Sequence, residues 1–235
     1  MYKRIVLKIS GEALADGTKN AIGPAKVEHV VSQLVKLHGK GVQIAVVVGG
    51  GNFWRGRQGI NMDRVTADHM GMLATIMNAL ALQDAIEKKG VPSRVQTALS
   101  IPAVAEPYIL RKALRHFEEN RIVIFACGTG NPYFSTDSGA ALRAAEIKAD
   151  VLLMAKNVDG LYDADPKRNP GAKKLESATY MEVMNKELAL MDMTAITMCK
   201  ENNIPIIAFG LMEGDSLYRA AMGEKVGTVI RGEGS

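Results

Sequence analysis

The 235-residue sequence predicts an α/β fold of three layers, α/β/α, with helices covering both faces of a mostly parallel open sheet. Three observations lead there. Short apolar runs rich in Val and Ile alternate with segments of helical periodicity, the pattern of strands joined by right-handed crossovers. Three of those runs end in polar loops that carry glycine, and ligands of such sheets sit outside the carboxyl ends of the strands. Hydrophobic residues make up 47% of the chain and are evenly spread, so a large core is expected, with no low-complexity segment and no internal repeat.

Residues 4–9 form the first strand, closed by Ser10 and Gly11. Pro24 opens a helix where its missing N–H costs little, and Val27, Val30, Val31, Leu34 and Val35 fall on one face. Gly39 and Gly41 stop it, and strand 42–48 begins at once. Asp63 caps a long helix whose stripe of Val65, Leu73, Ile76, Met77 and Leu80 reads as a Met-rich core face, fading at Lys88-Lys89-Gly90. Residues 93–98 make a shorter strand, Pro107 starts the helix holding Leu110, Leu114 and Phe117, and residues 121–126 are another buried strand. A helix of small residues over 138–147 leads to strand 150–154. A loop rich in Asp, Pro and Gly follows Lys156, then helices around 180–190 and 194–201, strand 204–209, helix 216–222 and strand 226–230.

Composition excludes several classes. The net charge of +4 is modest, and the basic residues are scattered rather than striped or interleaved with aromatics, so no nucleic-acid footprint is evident. Two cysteines, Cys127 and Cys199, are too few and too far apart for a disulfide scaffold or zinc site. The four histidines show no ligand spacing, and no metal site is expected on the protein itself. No signal peptide or membrane-length apolar run is visible, which points to a soluble, cytoplasmic protein.

The chemistry gathers at the loops. Gly49-Gly50-Gly51 after Ala45–Val48 lets the backbone lie against a ligand and aim N–H groups at an anion, with the Arg55 fork in reach. Lys8, ending its strand before Ser10 and Gly11, can hold a phosphoryl oxygen, although taken alone it reads better as a strand-end lysine in water. The loop Cys127–Asp137 carries two glycines, hydroxyls and an amide into a helix start whose dipole favours an anion; Ser135, Thr136 and Asp137 are alternative caps. Cys127 has no neighbouring base and reads as a small buried residue. Neither a Walker A sequence nor G-x-G-x-x-G is present, and the Asp-rich stretch 156–166 lacks calcium-loop spacing.

Taken together, Lys8-Ile-Ser-Gly, Gly49-Gly-Gly-Asn with Arg55-Gly56, Asp68-His-Met-Gly-Met-Leu, Thr129-Gly-Asn-Pro-Tyr-Phe-Ser-Thr-Asp and Val158-Asp-Gly with Asp165-Pro166 resemble the bacterial uridylate kinases. These belong to the amino-acid kinase fold family, with acetylglutamate, carbamate and aspartate kinases. The likeness runs over nearly the whole chain in the expected order; the Asp68 and Thr129–Asp137 segments narrow it from the wider family.

The resemblance implies one kinase domain over 1–235, with an acceptor-nucleotide part at about 1–150 and an ATP-binding part at about 151–235. It implies transfer of the ATP γ-phosphoryl group to UMP, giving UDP in pyrimidine nucleotide biosynthesis, with Mg2+ held mainly through the phosphates. Lys8, Arg55, Asp137 and Asp192 would be catalytic, with Asp137 organising the catalytic lysine. Lys8, Ile9, Ser10, Gly11, Gly51 and Arg55 would meet the ATP phosphates, Tyr162 and Asp165 the adenosine, and either Lys156 or Asn157 the rest of ATP. Gly50, Asp68, Thr129, Gly130, Asn131, Pro132, Tyr133, Phe134, Ser135 and Thr136 would hold UMP, with Asp68 on the ribose. A homohexamer with GTP and UTP effectors is implied too; Arg94 and Arg121 match two basic effector residues, whereas Glu87 stands where some relatives have a basic one. A small carboxylate or carbamate kinase of the same fold, or a non-catalytic nucleotide binder, are the competing readings.

Overall fold

Alternation in the central strands divides the core into two halves. The computed structural model of the protein describes residues 1–17, 21–54, 61–164, 166, 169, 171–188 and 190–233. Its elements in chain order are β1 (Arg4–Ile9), α1 (Gly11–Leu14), α2 (Pro24–His38), β2 (Gln43–Val48), α3 (Arg64–Lys88), β3 (Ser93–Thr97), β4 (Glu106–Pro107), α4 (Leu110–Glu118), β5 (Ile122–Ala126), α5 (Thr136–Glu146), β6 (Val151–Lys156), β7 (Ser177–Thr179), α6 (Tyr180–Asn185), α7 (Met193–Glu201), β8 (Ile206–Gly210), α8 (Ser216–Ala221) and β9 (Thr228–Arg231). The described strands form one sheet in the order β4-β3-β5-β2-β1-β6-β8-β9-β7, parallel throughout except for the β8–β9 pair.

Side chains alternate between the faces of a strand, so Ile5, Leu7 and Ile9 of β1 pack with α2, α3 and α8, while Val6 turns the other way toward α4, α5, α6 and α7. The same division separates Val46 and Val48 from Ala45 and Val47 on β2, and Leu153 and Ala155 from Leu152 and Met154 on β6. Both faces are covered, which is why the strands read as continuous apolar runs. Among the described residues no helix is long and apolar enough to cross a membrane.

Local signals hold at several ends. Asp63 accepts from Thr66 N–H at 3.0 Å and caps α3, and Pro24 sits in the first turn of α2. Three expectations are corrected. Pro107 lies in β4, pairing with Thr97, and α4 begins only at Leu110, because the ladder to β3 claims the residues before it. The helix expected over 180–190 ends at Asn185, where Glu187 at φ 47° turns the chain. On α3, Leu73 and Met77 are 49% and 45% exposed, not core. Ile76 is buried and Leu80 packs on the core as expected, but Thr75 and Asn78 share the inner face with them, because this helix also turns polar groups inward to hold loops.

Candidate active site

The carboxyl ends of β5, β2, β1 and β6 lie side by side, and their loops meet there. Lys8 follows Val6 by one alternation, so it faces α5, and its Nζ forms an ion pair with Asp137 Oδ1 at 2.7 Å. The pair's geometry is not that of a directed hydrogen bond. Lys8 is 9% exposed, so this carboxylate offsets a cation that burial would otherwise make costly. Lys156, at the end of neighbouring β6, falls on the same face by the same alternation after Leu152 and Met154. Its ammonium donates to the Leu190 carbonyl. Burial pulls its pKa below the usual lysine value, with Asp137 opposing and Lys8 adding to the shift. Two lysines and one carboxylate thus converge where α5 presents its first-turn N–H groups.

The glycines have a packing reason the sequence reading did not supply. A Cβ on Gly50 would lie 2.7 Å from Ala74 Cβ and 2.8 Å from the Gly71 carbonyl, both on α3. Gly11, opening α1, packs on the backbone of Gly51, where a Cβ would approach N at 2.7 Å. The loops after β1 and β2 therefore interlock with each other and with α3. Asn78 secures them: its Nδ2 donates to the Gly49 carbonyl and to Asn52 Oδ1, both at 2.7 Å, and Asn52 donates back at 2.9 Å.

The loop after β5 arches over a cavity of about 530 Å3. Gly50, Gly51, Asp68, Thr129, Asn131, Tyr133, Phe134, Ser135, Thr136, Asp137 and Asp192 all line it. Asp68 Oδ2 accepts from Arg64 Nε and from Tyr133 N–H, each at 2.8 Å, fixing Tyr133 at φ 73°. Ser135 proves to be the cap of α5, receiving Asp137 N–H at 3.0 Å and Ser138 N–H at 3.3 Å. Asp192 caps α7 through Ala195 N–H at 2.9 Å and accepts from the hydroxyls of Ser135 and Ser138. It therefore ties two helix starts together at the cavity wall.

Ile9 is buried, and Ser10 stands at the N-cap position of α1. Asn157 is exposed, while Lys156 turns inward toward Lys8. Tyr162 lies apart from the 530 Å3 cavity, in a second one of about 320 Å3 with Val158, Gly160, Pro166 and Lys186. Its hydroxyl donates to Asp159 Oδ1 at 2.8 Å, and Asp159 also pairs with Lys174 at 2.8 Å. Gly130 and Pro132 belong to the arch, and Gly130 at φ 80° occupies the left-handed region. Arg55 and Asp165 lie outside the described residues. Among the described residues no cluster of His, Cys, Asp or Glu is arranged to hold a metal ion. Trp54, Arg64, Thr75 and Ser138 line the large cavity without having been singled out from the sequence. Arg64 alone had a signal, its spacing four residues before Asp68.

Buried cations at the carboxyl end of a parallel sheet, with a helix N-terminus and a cavity beside them, have the character of a phosphate-binding site in an α/β protein. Residues 3–209 match the amino acid kinase family, and the chain belongs to that family. Its fold is similar to a UMP kinase from Bacillus anthracis, with TM-score 0.96, 37% identity, and coverage of 99% of this chain and 97% of that one. A UMP kinase from Ureaplasma parvum matches with TM-score 0.93 and 37% identity over 98% of this chain and 99% of that one. A uridylate kinase from Archaeoglobus fulgidus gives TM-score 0.73 and 27% identity over 96% of this chain and 99% of that one.

Replacing Asp192 removes a helix cap and two hydroxyl contacts at once. Asp192→Ala is expected to lower the unfolding free energy by about 1–3 kcal/mol in urea titration. A loss under about 0.5 kcal/mol would show that the tie between α5 and α7 contributes little.

Proposed function

We propose that the protein transfers the γ-phosphoryl group of MgATP to the phosphate of UMP, producing UDP and ADP for pyrimidine nucleotide biosynthesis. One observation carries the reading: the Lys8–Asp137–Lys156 cluster sits where β1 and β6 end, beside a cavity bounded by Asp68 and the loop after β5. The full-length similarity to UMP kinases supports it. Residues 1–150 would serve mainly the acceptor and residues 151–235 mainly the donor, although one sheet runs through both.

The chemistry asks the protein for position and charge. An oxygen of the UMP phosphate attacks the γ-phosphorus, the bond to the β–γ bridging oxygen breaks, and its electron pair leaves with ADP. The acceptor is already anionic near neutral pH, so no side chain needs to remove a proton. Two anionic nucleotides repel each other, and Lys8 at the seam offsets that repulsion as charge moves toward the leaving oxygen. Asp137 holds the Lys8 ammonium in place. Lys156 adds a second positive charge on the same side, which favours it over Asn157 as the ATP contact. The glycine backbone of 49–51 and the start of α5 supply N–H donors. Metal enters with the nucleotide phosphates. In the acceptor cavity Asp68 would meet the ribose and Asn131 the uracil edge, with Tyr133 and Phe134 at the mouth. The Tyr162 cavity would take the adenosine.

Assembly and regulation form part of the proposal. The outward apolar positions Leu73 and Met77 of α3 suit contact between copies, in a hexamer whose light-scattering mass should equal six chains at micromolar concentration. A monomer would contradict it. A cavity of about 480 Å3 lined by Gln83, Arg94, Glu106, His116 and Arg121 suits GTP or UTP as effector. We place the enzyme in the cytoplasm.

ADP release measured over UMP, dUMP, CMP, acetylglutamate, aspartate and carbamate tests the reading. UMP should be strongly preferred, because a site built for ribose hydroxyls and the uracil edge leaves groups unpaired with the others. Equal kcat/KM for UMP and dUMP would remove the ribose role from Asp68. Turnover of an acid instead would replace the reading, and release with no acceptor preference would abolish it.

A further inference from the structure

The arch over the large cavity begins with a residue in an unfavourable conformation. Cys127, buried and not glycine, has φ 67°, and Gly128 follows at φ 56°. A side chain at such a φ is strained and persists only where neighbours hold it. The neighbour here is Thr75 of α3. Its Oγ1 accepts Cys127 N–H at 2.7 Å while its own proton goes to the Met72 carbonyl at 2.6 Å. The hydroxyl is thus aimed by one backbone group and occupied by the other. Thr75 is 5% exposed, so water does not readily replace it.

A second pin completes the geometry. Seven residues earlier on α3, Asp68 accepts the N–H of Tyr133, another non-glycine at positive φ. Seven residues are two turns less about 20°, so both pins lie on one face of the helix, about 10.5 Å apart along its axis. The six Cα–Cα steps from Cys127 to Tyr133 could span about 20 Å if extended. Pinned over half that length, they must arch, and the arch encloses the cavity lined by Thr75, Cys127, Gly128, Thr129, Asn131 and Tyr133.

We propose that Thr75 is a positioning residue for the acceptor nucleotide: its hydroxyl locks Cys127 in the left-handed conformation and so sets the arch that closes on the pyrimidine. The inference rests on the acceptor reading of the cavity. It places Thr75 in acceptor affinity, acting through Cys127, and outside both donor binding and the transfer step.

Calorimetry with UMP and with a non-hydrolysable ATP analogue on the series Thr75→Ser, Thr75→Cys and Thr75→Val tests it. Serine keeps the acceptor oxygen, cysteine replaces it with a weakly accepting sulfur, and valine has no acceptor at nearly the same volume. The UMP Kd should stay within about twofold for Ser and rise through Cys to about tenfold or more for Val, as expected for a lost buried hydrogen bond. The ATP-analogue Kd should move less than about twofold throughout, a split that general loosening of the fold would not produce. If Thr75→Val does not fold, the Cys variant carries the comparison against Ser. Unchanged UMP affinity in Val or, failing that, in Cys, or equal weakening of both nucleotides, overturns the inference. Failure of the unmodified protein to bind UMP would instead remove the acceptor reading itself.

Discussion

The rest of the site depends on one buried cation. β1 is the middle strand of the nine described ones, and its alternation sends Lys8 into the layer occupied by α5. An ammonium there needs a counter-charge, because its desolvation is not recovered from apolar neighbours. Asp137 supplies it from the first turn of α5, so the ion pair fixes where that helix begins relative to the end of β1. Ser135 then caps the helix, and Asp192 ties the cap to α7. One electrostatic requirement thereby orients a helix dipole, a loop and a neighbouring helix toward the same point.

α3 meets a different requirement. Loops at the sheet edge carry irregular backbone whose N–H and C=O groups need partners once they are buried. Thr75 and Asn78 turn inward to meet Cys127 N–H and the Gly49 carbonyl, and Asp68 meets Tyr133 N–H at the arch. Leu73 and Met77 are left on the outside. The buried face of the helix therefore mixes Thr75 and Asn78 with apolar Met72, Ala74, Ile76 and Ala79. The same inward face explains why Gly50 lacks a side chain, since Ala74 and the Gly71 carbonyl already occupy the place of its Cβ.

These two requirements also mark what could be read from the sequence. The strand runs, the cap at Asp63, Pro24 and the glycine loops are local signals, and the observed sheet follows from them with the expected layers. The pairing of Lys8 with Asp137 is a contact across the sheet face that no spacing encodes; only the family resemblance implies it. Thr75 carries no sequence signal, because a threonine inside an apolar helix belongs to no motif. The outward turn of Leu73 and Met77 was misjudged for a related reason: periodicity reports that a face is apolar, not what covers it. Pro107 showed the limit of a helix-start signal when a neighbouring strand offers a ladder.

The central claim is that Lys8 acts on the transferring group more than on ground-state binding. The most direct measurement compares kcat with the UMP and ATP-analogue Kd values for Lys8→Met, which preserves bulk, in protein shown to be folded by circular dichroism. In Lys8→Met, kcat should fall roughly 100- to 1,000-fold with both affinities changed only a few-fold. Near-normal kcat in folded Lys8→Met, or a loss confined to nucleotide affinity, would contradict it.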